Sequence, residues 1–213
     1  LWPPSAEYLF KHAEPLMASS RRSDWITARN EYLDPLDSRF PDHPYHPQTK
    51  AWRDKIILDE AEGRSKLLAS STPTPFSQPQ TNGERQFVAT NAMASKAQAE
   101  GDEVSAERYW RGMTGTINAD DPDDRRWFLL ATKRADDLAL QIKSRREFVE
   151  DYLRRANAAF QAGRPNESIQ IRGMLREKYG RYTDLADLFP VASPEAPNAT
   201  DAEPPSAESP TPR

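Results

Sequence analysis

The turn PDHPYHP at residues 41–47 contains the side chains best suited to bind a metal ion. A histidine pair at this spacing, His43 and His46, can hold zinc when a third ligand such as Asp42 joins it. The same residue types are also typical of a turn that fixes the exit of a helix, with no ion involved. We favour the turn and predict no metal site.

The run NADDPDD at residues 118–124 has enough carboxylates for calcium. It lacks the glycine and the twelve-residue spacing of an EF-hand loop, however, so we expect Asp121 or Asp123 to cap the following helix instead. The glycines form no phosphate-binding loop. The sequence also has no G-x-S-x-G, no kinase motif and no nucleophile with a spaced His and Asp. We therefore predict no catalytic residue and no cofactor.

Basic pairs recur about every ten residues in the second half of the chain, at Lys133-Arg134, Arg145-Arg146 and Arg154-Arg155. Such a row can line one face of a long helix and contact nucleic acid. Acidic residues at helical spacings balance it, which favours solvated salt bridges. Residues 190–213 hold four acids and one base, and therefore −3 of the net charge of −4. The nearly neutral remainder predicts no nucleic-acid partner.

The chain has no cysteine, so no disulfide forms and cysteine usage does not indicate a compartment. Its longest uninterrupted apolar run, 127–131, is far shorter than the roughly 20 residues of a membrane-spanning helix. We expect that this chain does not cross a membrane. It begins at Leu1 with no basic segment before an apolar run, so we see no signal peptide and expect a fragment of a longer protein. Its localisation stays open.

Apolar residues at helical spacing predict an all-α fold with two related three-helix units and a terminal hairpin. Helical units that repeat in this degenerate way are typical of tetratricopeptide-like helical hairpins. Three residues have counterparts 78 positions later: Ala28 with Ala106, Tyr32 with Trp110, and Pro44 with Pro122. The predicted parts are a first unit (1–69), a Pro/Ser-rich linker (70–83), a second unit with a long helix and the terminal hairpin (84–189), and a disordered tail with seven prolines (190–213).

Local signals predict where helices begin, break and end. Asp24 is expected to cap the second helix of the first unit. Pro35 lies inside the apolar pattern of that helix and predicts a kink or break near residues 33–35. In the second unit, Gly101 is expected to end one helix and Asp102 to cap the next.

No glycine or proline interrupts residues 123–162, which predicts either one helix of about 60 Å or two helices broken near 144–146. Its apolar residues step by three and four, with Arg145 as the one violation, and this seam must face another helix. We expect the chain to close with a hairpin of about 147–162 and 165–179. The seam consists of Phe128, Ala131, Ala135, Leu138, Ile142, Val149, Tyr152, Ala156 and Ala159.

Three segments, SAEYLFKHAEPLMAS, DWITARNEYLDPLDSRFPDHPY and GDEVSAERYWRGMTG, resemble a helical region of bacterial serine/threonine protein kinases of the Hanks type. That tetratricopeptide-like region follows the catalytic domain and membrane anchor, and the resemblance covers roughly residues 3–180. The FPDHPY ending is also similar to repeat ends of bacterial envelope tetratricopeptide proteins. The resemblance implies a non-catalytic sensing or docking region of a membrane-anchored kinase, on either side of the membrane.

We therefore expect a protein-protein interaction function with a protein or peptide partner. Stacked antiparallel helices leave a concave surface that binds extended peptides or partner helices. Large aromatic residues anchor such contacts, although they serve equally well in a core. The candidate partner-binding residues are Trp25, Tyr32, Tyr109 and Trp110.

Two alternatives belong to other functional classes. In the first, the seam of the long helix pairs with its own copy, which makes the chain an oligomerisation element and the protein a homo-oligomer. In the second, the chain is an enzyme with an unfamiliar site. That alternative requires a cleft in which titratable groups converge.

Overall fold

A computed structural model describes residues 3–70 and 78–189, and this part of the chain is all-α, as predicted, with no β-strand in it. Half of the predicted linker (71–77) and the whole predicted tail (190–213) lie outside the described residues. No described helix is long and apolar enough to span a bilayer. The helices are α1 (Ala6–Ala18), α2 (Arg22–Ala28), a π-helix (Arg29–Leu33), α3 (Asp34–Arg39), α4 (His46–Leu68), α5 (Asn82–Ala99), α6 (Glu103–Thr116), α7 (Pro122–Gln161), α8 (Pro165–Tyr179) and a short 3-10 helix (Thr183–Leu185).

The helices α1 to α4 enclose the first apolar core. Aromatic contacts join α4 to α1 and α2. Trp52 of α4 stacks on Phe10 of α1 with ring centroids 5.1 Å apart, and Lys55 Nζ of α4 lies 4.1 Å from the centre of the Trp25 ring of α2. Each large apolar side chain that is fully buried stabilises the fold by about 1.5–3 kcal/mol. The buried members of this core are Ala13, Met17, Ala28, Leu33 and Ile56.

Near Pro35, where we predicted a kink or break, the chain does not break but forms the π-helix that ends at Leu33. The Asp34 N–H donates to the carbonyl of Arg29, five residues back. Pro35 has no N–H, and in a regular α-helix its ring would crowd the carbonyl four residues back. The wider π turn removes this conflict, so the chain stays helical from residue 22 to residue 39 instead of breaking.

The predicted helix cap at Asp24 is wrong. Helix α2 begins at Arg22, and Arg21 occupies the N-cap position without a side-chain hydrogen bond to the helix. Asp24 lies in the first turn, where its carboxylate accepts a hydrogen bond from Arg21 Nε at 3.0 Å. A carboxylate at either position interacts favourably with the helix dipole, so the sequence alone did not distinguish between them.

Helix α4, which we assigned to the first unit, contributes to both cores. Ile56 lies in the first core, whereas Ala61, five residues later, lies in the second. Arg125 at the start of α7 holds this junction, because its guanidinium binds both carboxylate oxygens of Asp54 at 2.7 and 2.8 Å. The two units therefore share a helix.

The helices α5, α6 and the first half of α7 enclose the second core together with the end of α4. Gly101 has a φ of 80° and lies just after α5, and Asp102 caps α6 by accepting a hydrogen bond from Ser105 N at 3.1 Å, so both predictions are confirmed. The predicted counterparts Ala28 and Ala106 are both fully buried. The tetratricopeptide type of the repeat stays a prediction. The largest buried members of the second core are Phe87, Trp110, Met113, Ile117, Trp127, Leu130 and Leu138.

Helix α7 is one unbroken helix of 40 residues, the first of the two predicted alternatives. Its first half packs on α4, α5 and α6, and its second half packs on α8 and the 3-10 helix. Much of the predicted seam therefore faces the chain's own helices. Leu138 lies in the second core, and Val149 lies in a third core with Leu175 and Leu185. The predicted hairpin of α7 and α8 is confirmed.

Two leucines on α7 test this assignment of the seam. Leu138 is 5% exposed and Leu140 is 64% exposed. We expect Leu138→Ala to lower the free energy of unfolding by about 2–5 kcal/mol, because it removes buried methyl groups and leaves a cavity. The matched variant Leu140→Ala should change it by less than about 0.5 kcal/mol. Urea denaturation measures both values, and equal effects would contradict burial of the seam within one chain.

The buried carboxylate of Glu84, between α4 and α5, should make the stability of the fold depend on pH. Arg64 binds Glu84 at 2.7 Å, and the pKa of Glu84 is lowered from its ordinary value of 4.5, first by this hydrogen bond and then, against the effect of burial, by the Gln80 N–H. The stability that Glu84 contributes is therefore present above about pH 4.5 and is lost as the pH falls through the lowered pKa. We expect Glu84→Gln to cost about 1–3 kcal/mol at pH 7.

The loss caused by Glu84→Gln should shrink as the pH falls below about 4.5. Glu7→Gln is the matched control, because Glu7 pairs with Lys11 on the exposed face of α1 and surface ion pairs contribute little. Urea denaturation at a series of pH values measures the difference between each variant and the parent chain. A difference for Glu84→Gln that is constant from pH 7 to pH 3 would contradict the prediction.

Candidate functional site

The structure places the four predicted partner-binding residues in different surroundings. Trp110 is only 2% exposed and packs on Phe87, with ring centroids 5.4 Å apart. It is therefore a core residue, and we withdraw it as a candidate. Tyr109, its neighbour, points outward and is 40% exposed.

Trp25 and Tyr32 are half-buried against the first core, away from Trp110 in the second. The Trp25 indole N–H donates to the carbonyl of Ser19 at 2.7 Å, which ties the start of α2 to the end of α1. Tyr32 lies near His12, with ring centroids 5.8 Å apart. The candidates that we predicted therefore do not form one groove.

The histidine turn does bring three possible ligands together, but the third is Asp37 and not Asp42. One ligand atom each from Asp37, His43 and His46 lies within 4.8 Å of the others. The Tyr45 N–H donates to His43 Nδ1 at 3.1 Å, so Nε2 carries the hydrogen and donates to Asp37 Oδ1 at 2.9 Å. A ring nitrogen that carries a hydrogen has no lone pair for a metal.

The other groups of this cluster are also engaged. Arg53 binds the second carboxylate oxygen of Asp37 at 2.7 Å, and His46 Nε2 donates to the carbonyl of Pro41 at 2.6 Å. The rings of His43 and His46 stack with centroids 4.0 Å apart. The arrangement joins the end of α3 to the start of α4, which supports the structural interpretation of the turn.

The remaining charged motifs also have local partners. Asp121 caps α7, as predicted, by accepting hydrogen bonds from the N–H groups of Asp123 and Asp124 at 2.8 and 3.2 Å. Each basic pair on α7 contains a residue bound to a carboxylate on the same helix. These ion pairs are Lys133 with Asp137, Arg146 with Glu150, and Arg155 with Asp151.

A polar cleft of about 300 Å³ lies where α4, α5, α6 and α7 meet. Lys133 spans it, bound to Glu62 at 3.4 Å and to Asp137 at 3.0 Å, and the pKa of Lys133 is raised, mainly by its hydrogen bond with Asp137. The hydroxyl of Ser65, which also lines the cleft, donates to the carbonyl of Glu62 in its own helix at 2.8 Å. The cleft is lined mainly by charged and amide side chains and offers no activated nucleophile.

An apolar groove of about 380 Å³ lies on the outer side of the hairpin of α7 and α8. Ile169, one of its lining residues, is 66% exposed. Phe160 follows Leu153 by seven residues and so lies on the same face of α7, and it is 65% exposed. We name this surface the terminal groove, and its lining residues are Leu153, Ile169, Arg172, Gly173, Arg176, Leu188 and Phe189.

The groove exists because α8 buries only a narrow stripe. Ser168 and Leu175 are buried against α7, whereas Ile169 and Met174 remain exposed. We predicted a helix at about 165–179 from the sequence but did not single out Ile169. The spacing of Ile169 and Gly173 could have predicted this surface, because they lie one turn apart on the side of α8 away from Leu175.

No family model matches this chain, and no curated protein or solved structure is significantly similar to it. The kinase resemblance of the three segments therefore stays a prediction. The terminal groove is the surface on which a functional argument can be built from geometry.

The histidine turn gives a testable prediction. We expect His43→Phe to lower the free energy of unfolding by about 1–3 kcal/mol, because it leaves the Tyr45 N–H and the Asp37 carboxylate without their shared partner. The matched variant His46→Phe keeps the ring stack at an exposed position and should cost less. Excess zinc chloride should leave the Tm of the parent chain unchanged in a thermal unfolding scan. A rise in Tm with zinc that His43→Phe abolishes would contradict the hydrogen assignment.

Proposed function

We propose that this chain is a non-catalytic protein-docking module and that its partner binds in the terminal groove. The grouping of exposed apolar side chains carries the proposal: Ile169, which lines the groove, and Phe160, two turns after Leu153 on the same face of α7, are both about two-thirds exposed. Single apolar residues on a surface are normal, but a continuous apolar groove with a polar rim is typical of a binding site.

The position of the groove supports the same function. In a stacked-helix array each hairpin buries an apolar side against its neighbour, and a terminal hairpin requires a polar outer face. Helix α8 is the last α-helix of the described residues, yet Ile169 on its outer face is apolar. A partner that covers this face gains about 25 cal/mol for each Å² of apolar surface removed from water.

Attachment of the module to a serine/threonine kinase is part of this proposal, and it depends on the resemblance of the three segments alone. A docking surface outside the catalytic domain would hold a partner near the kinase without occupying its active site. An enzyme would need a cleft in which titratable groups converge on a reactive side chain. The polar cleft offers no activated nucleophile, so the groove supports docking better than the cleft supports catalysis.

Self-association through α7 is a second candidate. The seam that we assigned to it is largely covered by the chain's own helices, so another face of α7 must make the contact. Leu140 and Phe148 favour this candidate, because they are 64% and 41% exposed and lie eight residues apart, near one face of α7. Light scattering across a wide concentration range measures the mass and decides whether this face pairs.

Selection from a random peptide library displayed on phage tests the docking function. The full chain is the bait, and Ile169→Glu is the counter-bait, because this substitution places a charge in the groove at a position too exposed to affect folding. We expect enriched peptides that bind the parent chain and lose at least tenfold in affinity with Ile169→Glu, as measured by fluorescence anisotropy.

Gln170→Glu is the matched control, because it adds the same charge at the adjacent exposed residue outside the groove lining. It should leave the affinity of the enriched peptides unchanged. Enrichment of no peptide, or of peptides that bind Ile169→Glu and the parent chain equally, would overturn the proposal that the terminal groove is a docking site.

A further inference from the structure

We infer that the occupant of the terminal groove is an amphipathic α-helix of a partner protein that crosses α8 at Gly173 and carries acidic residues beside its apolar stripe. This inference rests on the proposed docking function and names the partner of the same site. It follows from one glycine, one arginine and the shape of the groove.

Gly173 lies in the interior of α8, where glycine is less favourable than alanine because of its backbone entropy. The chain's own packing does not require it, since a Cβ built at Gly173 meets no atom within 4 Å. At Gly83 and Gly101, in contrast, a Cβ would lie 2.6 and 2.5 Å from neighbouring atoms of the chain. Gly173 also lines the groove.

A missing side chain on a groove wall allows a second backbone to approach closely. Helices that pack at such contacts lie about 8–10 Å apart, at a distance set by the side chains between them. Ile169, one turn before Gly173, gives the apolar contact beside this point. A groove of about 380 Å³ between Ile169, Leu153 and Leu188 suits the apolar stripe of a helix, with anchors at positions i, i+3, i+4 and i+7.

The charges of the groove indicate the polar side of the partner. Arg172 and Arg176 lie one turn apart on its lining. Arg172 hydrogen-bonds to the side chain of Asn157, a neutral group, and has no carboxylate partner in the described parts of the chain. Its positive charge therefore remains available to a carboxylate of a bound helix.

The same charges distinguish the possible occupants. A second copy of the chain, related by a two-fold axis through α8, would bring Arg172 close to its own copy, which is unfavourable. The segment 190–213 is acidic, but Val191 is the one large apolar residue that its sequence offers to the groove. A separate helix with acidic flanks satisfies both the apolar and the charged parts of the groove.

Peptides enriched on the full chain provide the probe. We expect their sequences to show apolar residues at helical spacing with Asp or Glu beside them, and their circular dichroism to become helical on binding. Arg172→Glu should weaken them by at least tenfold, and replacing the acidic residues of the peptide with Lys should restore binding to that variant. Enrichment of proline-rich or basic peptides would overturn the inference while leaving the docking function in place.

Gly173→Ala separates binding from folding. We expect it to raise the Tm by about 2–4 °C, because alanine favours the helix, and to weaken peptide binding by at least tenfold, because its methyl group blocks the close approach. Gly112→Ala is the matched control: Gly112 lies within α6, a Cβ there also meets no atom within 4 Å, and the residue does not line the groove. It should raise the Tm and leave binding unchanged.

Three further results would contradict the inference. An unchanged affinity of the peptides for Gly173→Ala would exclude the close helix crossing. A dimer of the free chain in light scattering that Ile169→Glu converts to a monomer would make a second copy the occupant. Displacement of the peptides by a synthetic peptide of residues 190–213 would make the chain's own tail the occupant.

Discussion

One buried guanidinium at the midpoint of α7 determines the arrangement of the C-terminal part of the chain. The Arg145 side chain is 10% exposed, and a charge removed from water is costly unless opposite charges pair with it. Glu103 at the start of α6 lies 2.7 Å away and Asp184 in the 3-10 helix lies 2.8 Å away. Burial lowers the pKa of Arg145, but the hydrogen bonds with these two carboxylates raise it above its ordinary value, so the group stays charged.

This ion pair brings the segment after α8 back to α7 and α6. The Thr183 N–H donates to the carbonyl of Gly101 at 3.2 Å, and only glycine allows the approach, since a Cβ at Gly101 would lie 2.5 Å from the carbonyl oxygen of Arg181. The returning segment then places Leu188 and Phe189 beside the second half of α7. These two residues line the terminal groove. The contacts of Arg145 therefore help to build the apolar surface of the hairpin of α7 and α8.

The two halves of α7 therefore have different surroundings, and the proposed docking surface lies beside the second half. The first half lies among three helices, whereas the second half is covered by α8 and a short 3-10 helix. The ion pair itself is imperfect, since Arg145 Nε and Asp184 Oδ2 are buried without a hydrogen-bond partner in the described residues. Such a pair fixes the position of a segment more than it adds stability. The hairpin leaves the apolar side chains of the terminal groove exposed, and in the proposed function a bound partner covers them.

Features that depend on residues within one or two turns of each other follow from the sequence: the all-α class, the irregularity before Pro35 and the Asp102 cap of α6. The sequence left open whether residues 123–162 form one helix or two, and the structure shows one. Nor did the sequence determine which apolar residues would be buried. Tyr109 and Trp110 are neighbours that seemed equally suited to binding, yet one is 40% and the other 2% exposed. It marked Arg145 only as a violation of the seam, because its partner Asp184 lies 39 residues away. Burial, charge pairing and the groove depend on which helices meet, and only the tertiary structure decides that.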